Sequence, residues 1–315
     1  MSVFTIPEPR FIGCDVGKTS IVVFDGATSR TQIINNQPED LASFACGLDK
    51  HCFVVCEATG GYEADLLTAL TAAGIPAHRA DARKVKAFIR SFGTLGKTDA
   101  IDAKALAHYA QERNAKLPRW QAPAQDRVTL QALVLTRRDL VAQHTAFTNR
   151  LNAPTAGPAK LYLEKVRSCL TDQIKAIDTK IETILQTSQP LKIAAEVLKS
   201  MTGIGSKTAG ALIALMPELG TINRWKAAAL GGVAPHPYQS GQTDGYRRTK
   251  GGRPEVKRAL FMAALSAAKH DPKMKLFFQR LVANGKKPIV AIVAVMRKII
   301  VIANARIRDA YLQTI

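Results

Sequence analysis

Two short apolar runs near the N-terminus limit what this chain can fold into. Residues 11–24 (FIGCDVGKTSIVVF) place β-branched and aromatic residues on both sides of a glycine turn, and residues 51–57 (HCFVVCE) resemble a buried strand. Helices and one further strand are predicted at residues 62–73, 77–80, 83–90 and 98–112, the last with Thr98 as its N-cap. Strands that alternate with helices predict an α/β domain.

After residue 128 the pattern changes to long helices. Seven apolar residues recur at steps of three or four, close to a heptad repeat: Leu163, Val166, Leu170, Ile174, Ile177, Ile181 and Ile184. A proline-containing turn at 153–158 separates them from an earlier helix, which predicts an antiparallel helical arm. A helical region with a glycine-rich interruption at 231–252 follows. We therefore predict three domains, at residues 1–125 (α/β), 126–192 (helical coiled-coil arm) and 193–315 (mainly α-helical).

The charge of the chain indicates its partner. Lys and Arg number 44 against 25 Asp and Glu, a formal charge of +19. Residues 201–315 hold 19 of the basic and 5 of the acidic residues, so +14 of the excess lies there. Such a basic region is typical of proteins that bind the phosphates of nucleic acids. No apolar run approaches the roughly 18 residues that would span a bilayer, so we expect no membrane contact.

Two features exclude common types of site. The five cysteines are odd in number and lack paired metal-ligand spacing, so a disulfide framework and a zinc site are not expected, and we predict mostly buried, reduced thiols. Residues 13–19 (GCDVGKT) resemble a phosphate-binding loop, but only three residues separate the two glycines where that loop requires four. The sequence therefore does not support a nucleotide triphosphatase.

Four carboxylates occupy positions suited to a metal site. Asp15 and Glu57 fall at predicted strand ends, and Asp99 and Asp102 lie three residues apart in the first turns of a predicted helix. Carboxylate oxygens are the ligands of Mg²⁺, and two such ions can assist phosphodiester chemistry. The alternative for Asp99 and Asp102 is that they only complement the helix dipole.

Two segments of the basic region are candidates for contact with nucleic acid. Residues 200–215 (SMTGIGSKTAGALIAL) resemble a helix-hairpin-helix, in which glycine N–H groups and Lys207 would meet a phosphate, although an ordinary turn between helices fits equally well. Ser240 lies in a glycine-rich turn, and from spacing alone it is a turn former. Six basic residues follow it: Arg247, Arg248, Lys250, Arg253, Lys257 and Arg258. No His and Asp stand at a spacing that supports a hydrolase triad.

Together, these segments resemble a known family. Asp15 in FIGCDVGK, Glu57 in VVCEATGGY, Asp99 and Asp102 in LGKTDAIDAKALA, and the segment LGGVAPHPYQSGQTDGYRRTKGGRPEVKRALFMAALSA are similar to the IS110/IS1111 transposases and to Piv-type DNA invertases. The resemblance implies an N-terminal RuvC-like domain of the ribonuclease H fold with a DEDD tetrad at those four carboxylates. It further implies a coiled-coil arm and a C-terminal transposase domain in which Ser240 is the nucleophile. The arm turn APTAGPA departs from the family pattern.

The resemblance also implies an activity and partners. It implies that donor and target DNA are cut and rejoined through a covalent phosphoserine, with Mg²⁺ at the tetrad, a bridge RNA as guide, and a homo-oligomer, a dimer or tetramer, with composite sites. The expected location is the cytoplasm, at the nucleoid. Two alternatives remain open: a RuvC-like structure-selective nuclease in which the metal activates water and Ser240 is a turn residue, and a non-catalytic nucleic-acid scaffold.

Overall fold

The computed structural model describes residues 9–93, 98–240 and 243–313. The chain divides into two compact units, Met1–Pro123 and Ala124–Ile315. The first contains a mixed α/β sheet and the second is mostly helical. This order of an α/β region before a helical region confirms the coarse fold prediction. The RuvC-like assignment, the coiled coil and the three-domain division remain predictions.

A five-stranded sheet organises the first unit. Its strands are β1 (Arg10–Val16), β2 (Ser20–Asp25), β3 (Arg30–Asn35), β4 (Cys52–Glu57) and β5 (Ala77–Ala80). They lie in the order β3-β2-β1-β4-β5, with β1, β4 and β5 parallel and the β1-β2 and β2-β3 pairs antiparallel. The order places β1 and β4 side by side near the middle of the sheet, so the carboxyl ends of both strands meet at one edge.

Helices cover both faces of this sheet. They are α1 (Pro38–Cys46), α2 (Ala64–Ala72), α3 (Ala82–Ser91) and α4 (Asp99–Arg113). One core contains Cys14 and Cys56 with residues of α1 and α2, and another contains Phe53 and Val55 with residues of α3 and α4. Successive strand residues face opposite sides, so each buried strand contributes to both cores. This two-sided burial explains why β1 and β4 are nearly continuous apolar runs.

The predicted strands and helices of this unit are confirmed, but two elements were not predicted. β3 is an edge strand whose residues are mostly exposed, and it therefore lacks the apolar alternation that marks a strand. α1 buries only Leu41 and Ala45. Neither element carries enough apolar periodicity to be recognised without the sheet beside it.

The second unit consists of helices and one hairpin. Its helices are α5 (Gln125–Leu151), α6 (Lys160–Thr187), α7 (Gln189–Lys199), α8 (Ser206–Leu215), α9 (Arg224–Leu230), α10 (Pro254–His270), α11 (Pro272–Ala283) and α12 (Pro288–Leu312). α5 and α6 contact each other, and a 3-10 segment, Pro154–Ala159, connects them. Of the predicted heptad residues, Ile181 is buried, whereas Val166 is exposed.

The glycine-rich interruption is a β-hairpin, which the sequence analysis did not predict. β6 (Pro235–Ser240) pairs antiparallel with β7 (Thr243–Thr249), and the register is irregular between His236 and Tyr238. Proline lacks an N–H for the ladder, so Pro237 suits this irregularity. A Cβ atom at Gly245 would lie 2.6 Å from the Tyr238 ring, so this glycine makes room for the tyrosine. These prolines and glycines conceal the period-2 pattern in the sequence.

α12 corrects the expectation about membrane-spanning segments. It has 25 residues, and its most apolar 18-residue window has a mean hydropathy of 1.9, enough in length and composition to cross a membrane. Arg297 and Lys298 interrupt the apolar run, which is why the sequence did not reveal it. Residues along α12, including Val295, Ile299 and Ala303, are buried in the core of the second unit. Packing within this core accounts for the apolar character of the helix.

The cysteines are free thiols, as predicted. Cys14, Cys52 and Cys56 are buried, and Cys46 and Cys169 are exposed. Burial raises the pKa of the Cys56 thiol to about 12, so this thiol stays protonated and unreactive at neutral pH.

Candidate active site

Asp15 and Glu57 lie next to each other at the carboxyl ends of two parallel strands. Cys14 on β1 is in register with Cys56 on β4, and the two carboxylates follow one residue later on each strand. Neighbouring strands are about 4.8 Å apart, so the register brings these residues close together. The cysteines face the core under α1 and α2, and alternation therefore directs both carboxylates to the opposite face, which α3 and α4 cover.

α4 brings two more carboxylates toward the same end of the sheet. A Cβ atom at Gly13 would lie 1.9 Å from the carbonyl oxygen of Ala103, so the helix rests directly on β1 at this glycine. Ala107 lies near Gly26, whose N–H bonds the carbonyl of Phe11, so α4 runs opposite to β1. The start of α4, with Asp99 and Asp102, is therefore directed toward the Asp15 end of the strand.

The start of α4 has the predicted cap. The Thr98 side chain accepts a hydrogen bond from the N–H of Ile101 at 3.2 Å. Asp99 is exposed and Asp102 is half-buried. Residues 94–97, which precede this cap, lie outside the described residues.

The four carboxylates have the oxygen donors that a divalent cation binds, but the described structure does not place them together as one set of ligands. Within residues 9–93, 98–240 and 243–313, no group of three or more His, Cys, Asp or Glu side chains is placed to hold a metal ion. Carboxylate oxygens remain the donors that a hard divalent cation requires. The structure thus supplies a pair at the sheet edge and a pair at the helix start, and the closed tetrad remains a prediction.

A buried glutamate holds the loop that follows Glu57. Glu63 accepts hydrogen bonds from the N–H of Thr59 at 3.1 Å, the N–H of Gly61 at 2.9 Å and the Nε of Arg79 at 2.7 Å. Burial raises the pKa of the Glu63 carboxyl, but these N–H groups and Arg79 outweigh that effect and lower it below its usual value. Glu63 is therefore ionised at neutral pH and fixes the loop beside the candidate site.

Asn36 connects the two loops at this edge of the sheet. Its side-chain amide donates to the carbonyl of Gly17 at 3.0 Å and to the carbonyl of Tyr62 at 3.1 Å. Gly17 follows Asp15, and Tyr62 belongs to the loop that follows Glu57, so Asn36 and Glu63 both hold loops beside the two candidate carboxylates. Sequence reasoning missed both, because a lone Asn or Glu in a loop carries no periodic signal.

Ser240 is the last residue of β6 and is paired with Thr243 on β7. Residues 241–242 and the Ser240 side chain lie outside the described part of the structure. Gln239 and Ser240 belong to the second unit, and the four carboxylates belong to the first.

The basic residues predicted to bind nucleic acid differ in what surrounds them. Arg247, Arg248, Lys250 and Arg258 are exposed, and Lys257 is half-buried. Exposed guanidinium and ammonium groups of this kind are accessible to phosphates.

Arg253 differs from these neighbours in its contacts. Its guanidinium donates to the two carboxylate oxygens of Glu218 at 2.8 and 2.6 Å and to the carbonyl of Leu215 at 2.7 Å. These contacts connect the start of α10 to the end of α8 and the segment after it, so Arg253 has a structural role, and its contact with nucleic acid remains a prediction. The sequence analysis grouped it with its neighbours because all six are basic residues of one short segment.

In the predicted helix-hairpin-helix, the structure explains why a glycine is needed at position 203. Gly203 has a φ of 92°, and a Cβ atom there would lie 2.5 Å from the carbonyl oxygen of Ala263. The turn is thus packed against α10. A Cβ atom at Gly205 would meet no atom within 4 Å. The Nζ of Lys207 lies 3.3 Å from the Oδ2 of Asp178, and the Lys207 side chain is 69% exposed.

Two family models and several known proteins match this chain. The family model DEDD_Tnp_IS110, described as a transposase, matches residues 12–154, and the model described as the transposase IS116/IS110/IS902 family matches residues 195–279. The pilin gene-inverting protein of Moraxella lacunata is 29% identical over 229 residues, 71% of this chain and 70% of that protein. An uncharacterised 43.6 kDa protein of the insertion element IS110 from Streptomyces coelicolor is 30% identical over 162 residues, 50% of this chain and 39% of that protein.

These matches define the class as a DNA-recombining transposase with a DEDD domain. The chain belongs to the IS110 family of transposases. The first family model includes all four predicted carboxylates, and the second includes Ser240. A DEDD transposase domain implies the use of a divalent metal ion and a DNA substrate.

Proposed function

We propose that this chain is a transposase that cleaves and rejoins donor and target DNA through a covalent phosphoserine at Ser240. The observation that carries the proposal is the juxtaposition of Asp15 and Glu57 at the carboxyl ends of β1 and β4, with the start of α4 directed toward the same end. The family membership supports the assignment of Asp99, Asp102 and Ser240 to the same reaction.

The carboxylates Asp15, Glu57, Asp99 and Asp102 would hold Mg²⁺. When bound, the ion polarises a phosphodiester and stabilises the leaving oxygen. Asn36 and Glu63 keep the loops after β1 and β4 in place, so the two sheet-edge carboxylates are positioned before DNA binds.

Ser240 would form and later release the covalent bond. Its Oγ attacks phosphorus and loses its proton, a new O–P bond forms, and the bond from phosphorus to one sugar oxygen breaks. That oxygen takes up a proton and leaves as a free DNA hydroxyl. A second DNA hydroxyl then attacks the phosphoserine, which restores the serine and joins the strands. The exposed Arg247, Arg248 and Lys250 would supply positive charge around the phosphate.

This reaction requires the carboxylates of the first unit and the serine of the second to act on one phosphate, within one chain or between two chains. We propose a homo-oligomer, a dimer or tetramer, guided by a bridge RNA and active in the cytoplasm, where the nucleoid DNA lies. The basic character of the second unit supports nucleic-acid partners, since exposed Lys and Arg neutralise phosphates.

A suicide DNA substrate tests the proposal. We expect the unaltered protein with Mg²⁺ to form a protein–DNA adduct that denaturation does not separate, because the broken strand cannot be rejoined. Ser240→Ala should form no adduct but should still bind DNA, and chelation of the metal should also abolish the adduct. Ser168→Ala, a change of an exposed serine on α6 of the same unit, is the matched control and should react normally.

The same experiment separates the alternative nuclease. Metal-dependent cleavage that persists in Ser240→Ala without an adduct would show that water replaces the serine. Absence of both cleavage and adduct in the unaltered protein would favour a non-catalytic scaffold.

A further inference from the structure

A basic cleft lies between the β-hairpin and α12, within the second unit. Its lining includes the apolar residues Val233, Ile289 and Val293. It also includes three arginines: Arg247 and Arg248 from β7 and Arg297 from α12. No Asp or Glu is present among the described residues that line this cleft. A lining of arginines and apolar side chains suits a ligand that has both anionic and flat apolar groups.

Trp225 extends this cleft into an aromatic surface. The Arg297 guanidinium carbon lies 5.4 Å from the centre of the Trp225 ring, and that of Arg224 lies 4.9 Å from it. The tryptophan nevertheless remains 59% exposed. The exposed ring therefore lies beside Arg297, one of the arginines that line the cleft.

Hydrogen bonds anchor the main chain around Trp225. The Asn223 side chain accepts hydrogen bonds from the N–H groups of Trp225 at 3.1 Å and Lys226 at 2.9 Å. The buried Asn304 of α12 accepts from the N–H of Gly220 at 2.9 Å and donates to the carbonyl of Ile222 at 2.7 Å. Asn304 lies two helical turns after Arg297 on α12. The contacts therefore hold the main chain that carries Trp225 against the helix that carries Arg297.

We propose that this cleft binds a single-stranded nucleic acid, with a base stacked on Trp225 and phosphates on Arg247, Arg248 and Arg297. An unpaired strand exposes the faces of its bases, and an aromatic side chain in a positive groove is the usual platform for them. A duplex stacks its bases on one another and would offer only phosphates to this surface. The inference does not depend on Ser240 acting as a nucleophile.

Fluorescence of Trp225 tests the inference directly. The chain has two tryptophans, so Trp120→Phe leaves Trp225 as the sole one. We expect single-stranded oligo(dT) or oligo(rU) of about 20 nucleotides, longer than the usual site, to quench this fluorescence with saturation. A duplex of equal length should quench it weakly. Tighter binding of oligo(rU) would identify RNA as the ligand, and tighter binding of oligo(dT) would identify DNA.

Two variants separate stacking from charge. In the protein with both tryptophans, Trp225→Ala should weaken oligonucleotide binding about tenfold, as loss of one stacked base does, with an unchanged salt dependence. Arg297→Gln should lower the slope of log affinity against log salt concentration by about 0.7, the value for one lost phosphate contact on a single strand. Controls are Arg306→Gln, an exposed arginine of α12 outside the cleft, and Tyr162→Ala, an exposed aromatic residue of α6.

Several results would overturn the inference. They are equal or stronger quenching by duplex, an unchanged affinity in Trp225→Ala, or losses in the two control variants as large as those in the cleft variants. Ser240→Ala is expected to bind oligonucleotides normally, so failure of the phosphoserine reaction and failure of this cleft give different results.

Discussion

At the scale of single residues, neighbouring arginines of the basic segment have different surroundings. Arg253 bonds Glu218 and a main-chain carbonyl, whereas Arg258 is exposed. We expect Arg253→Gln to lower the free energy of unfolding by about 1–2 kcal/mol, because partly buried acceptors lose their donors. Arg258→Gln should leave stability unchanged and weaken nucleic-acid binding. Urea unfolding and a binding titration of both variants test these expectations. Equal stability of Arg253→Gln and the unaltered protein would show that the Arg253 contacts contribute little.

Asp25 predicts how the stability of the first unit depends on pH. Burial raises the pKa of its carboxyl, but hydrogen bonds from Arg10, Thr28 and the N–H of Ala27 outweigh this and lower the pKa to about 2. An Asp in an unfolded chain has a pKa near 3.9. The folded state therefore binds the proton less readily, and the stability from this group is present above about pH 4 and is lost as pH falls toward 2.

Urea unfolding at several pH values measures this dependence. Asp25→Asn should be less stable at neutral pH and should lose part of the decline in stability between about pH 4 and 2. Asp65→Asn, a change of an exposed carboxylate in the same unit, is the control. An identical acid profile in Asp25→Asn and the unaltered protein would contradict the assignment.

At the scale of elements, the contact between β1 and α4 determines where the helical carboxylates lie. A Cβ atom at Gly13 would overlap the main chain of α4 at Ala103 and Ala107. Gly13→Ala should therefore displace α4, lower the free energy of unfolding by about 1–3 kcal/mol as overpacking does, and reduce DNA strand transfer. All four carboxylates are unaltered in this variant, so a loss of activity would come from the displacement of α4.

Gly47→Ala provides the comparison for this prediction. A Cβ atom at Gly47 would meet only ordinary contacts at 3.5 Å, and its φ of −77° suits any residue. We expect this variant to retain both stability and activity. Normal strand transfer in Gly13→Ala would show that the position of α4 does not matter to the reaction.

At the scale of the whole molecule, charge and core are divided between the two units. Ala124–Ile315 holds 30 Lys and Arg against 12 Asp and Glu, or +18, and Met1–Pro123 holds 14 against 13, or +1. The buried clusters of the first unit contain no residue of the second, and the largest cluster lies entirely within the second. Each unit thus has its own core.

Residues 124–315 should therefore fold alone and carry most of the affinity for nucleic acid. We expect cooperative thermal unfolding of this fragment by circular dichroism, and DNA or RNA binding that weakens steeply with salt because counterions are released. Residues 1–123 should bind weakly under the same conditions. Affinity that is insensitive to salt, or that resides in residues 1–123, would contradict the assignment.

Local patterns in the sequence determined most elements of the first unit and the places of the candidate carboxylates on them. The apolar runs of β1 and β4, the Thr98 cap of α4 and the carboxylates at strand ends were all predicted, because burial and capping act over a few neighbouring residues. The motif resemblance identified the family. The hairpin of β6 and β7 was missed because prolines and glycines mask its alternation.

Only the tertiary structure decided which distant residues meet. Nothing near Arg253 in sequence reveals that Glu218 binds it, and nothing near Trp225 reveals that Arg297 lies beside its ring. The same holds for Asn36, which joins two loops at the candidate site. Such contacts depend on how elements pack after they form, and residues separated by many positions leave no periodic pattern in the chain, so the role of each had to come from the folded structure.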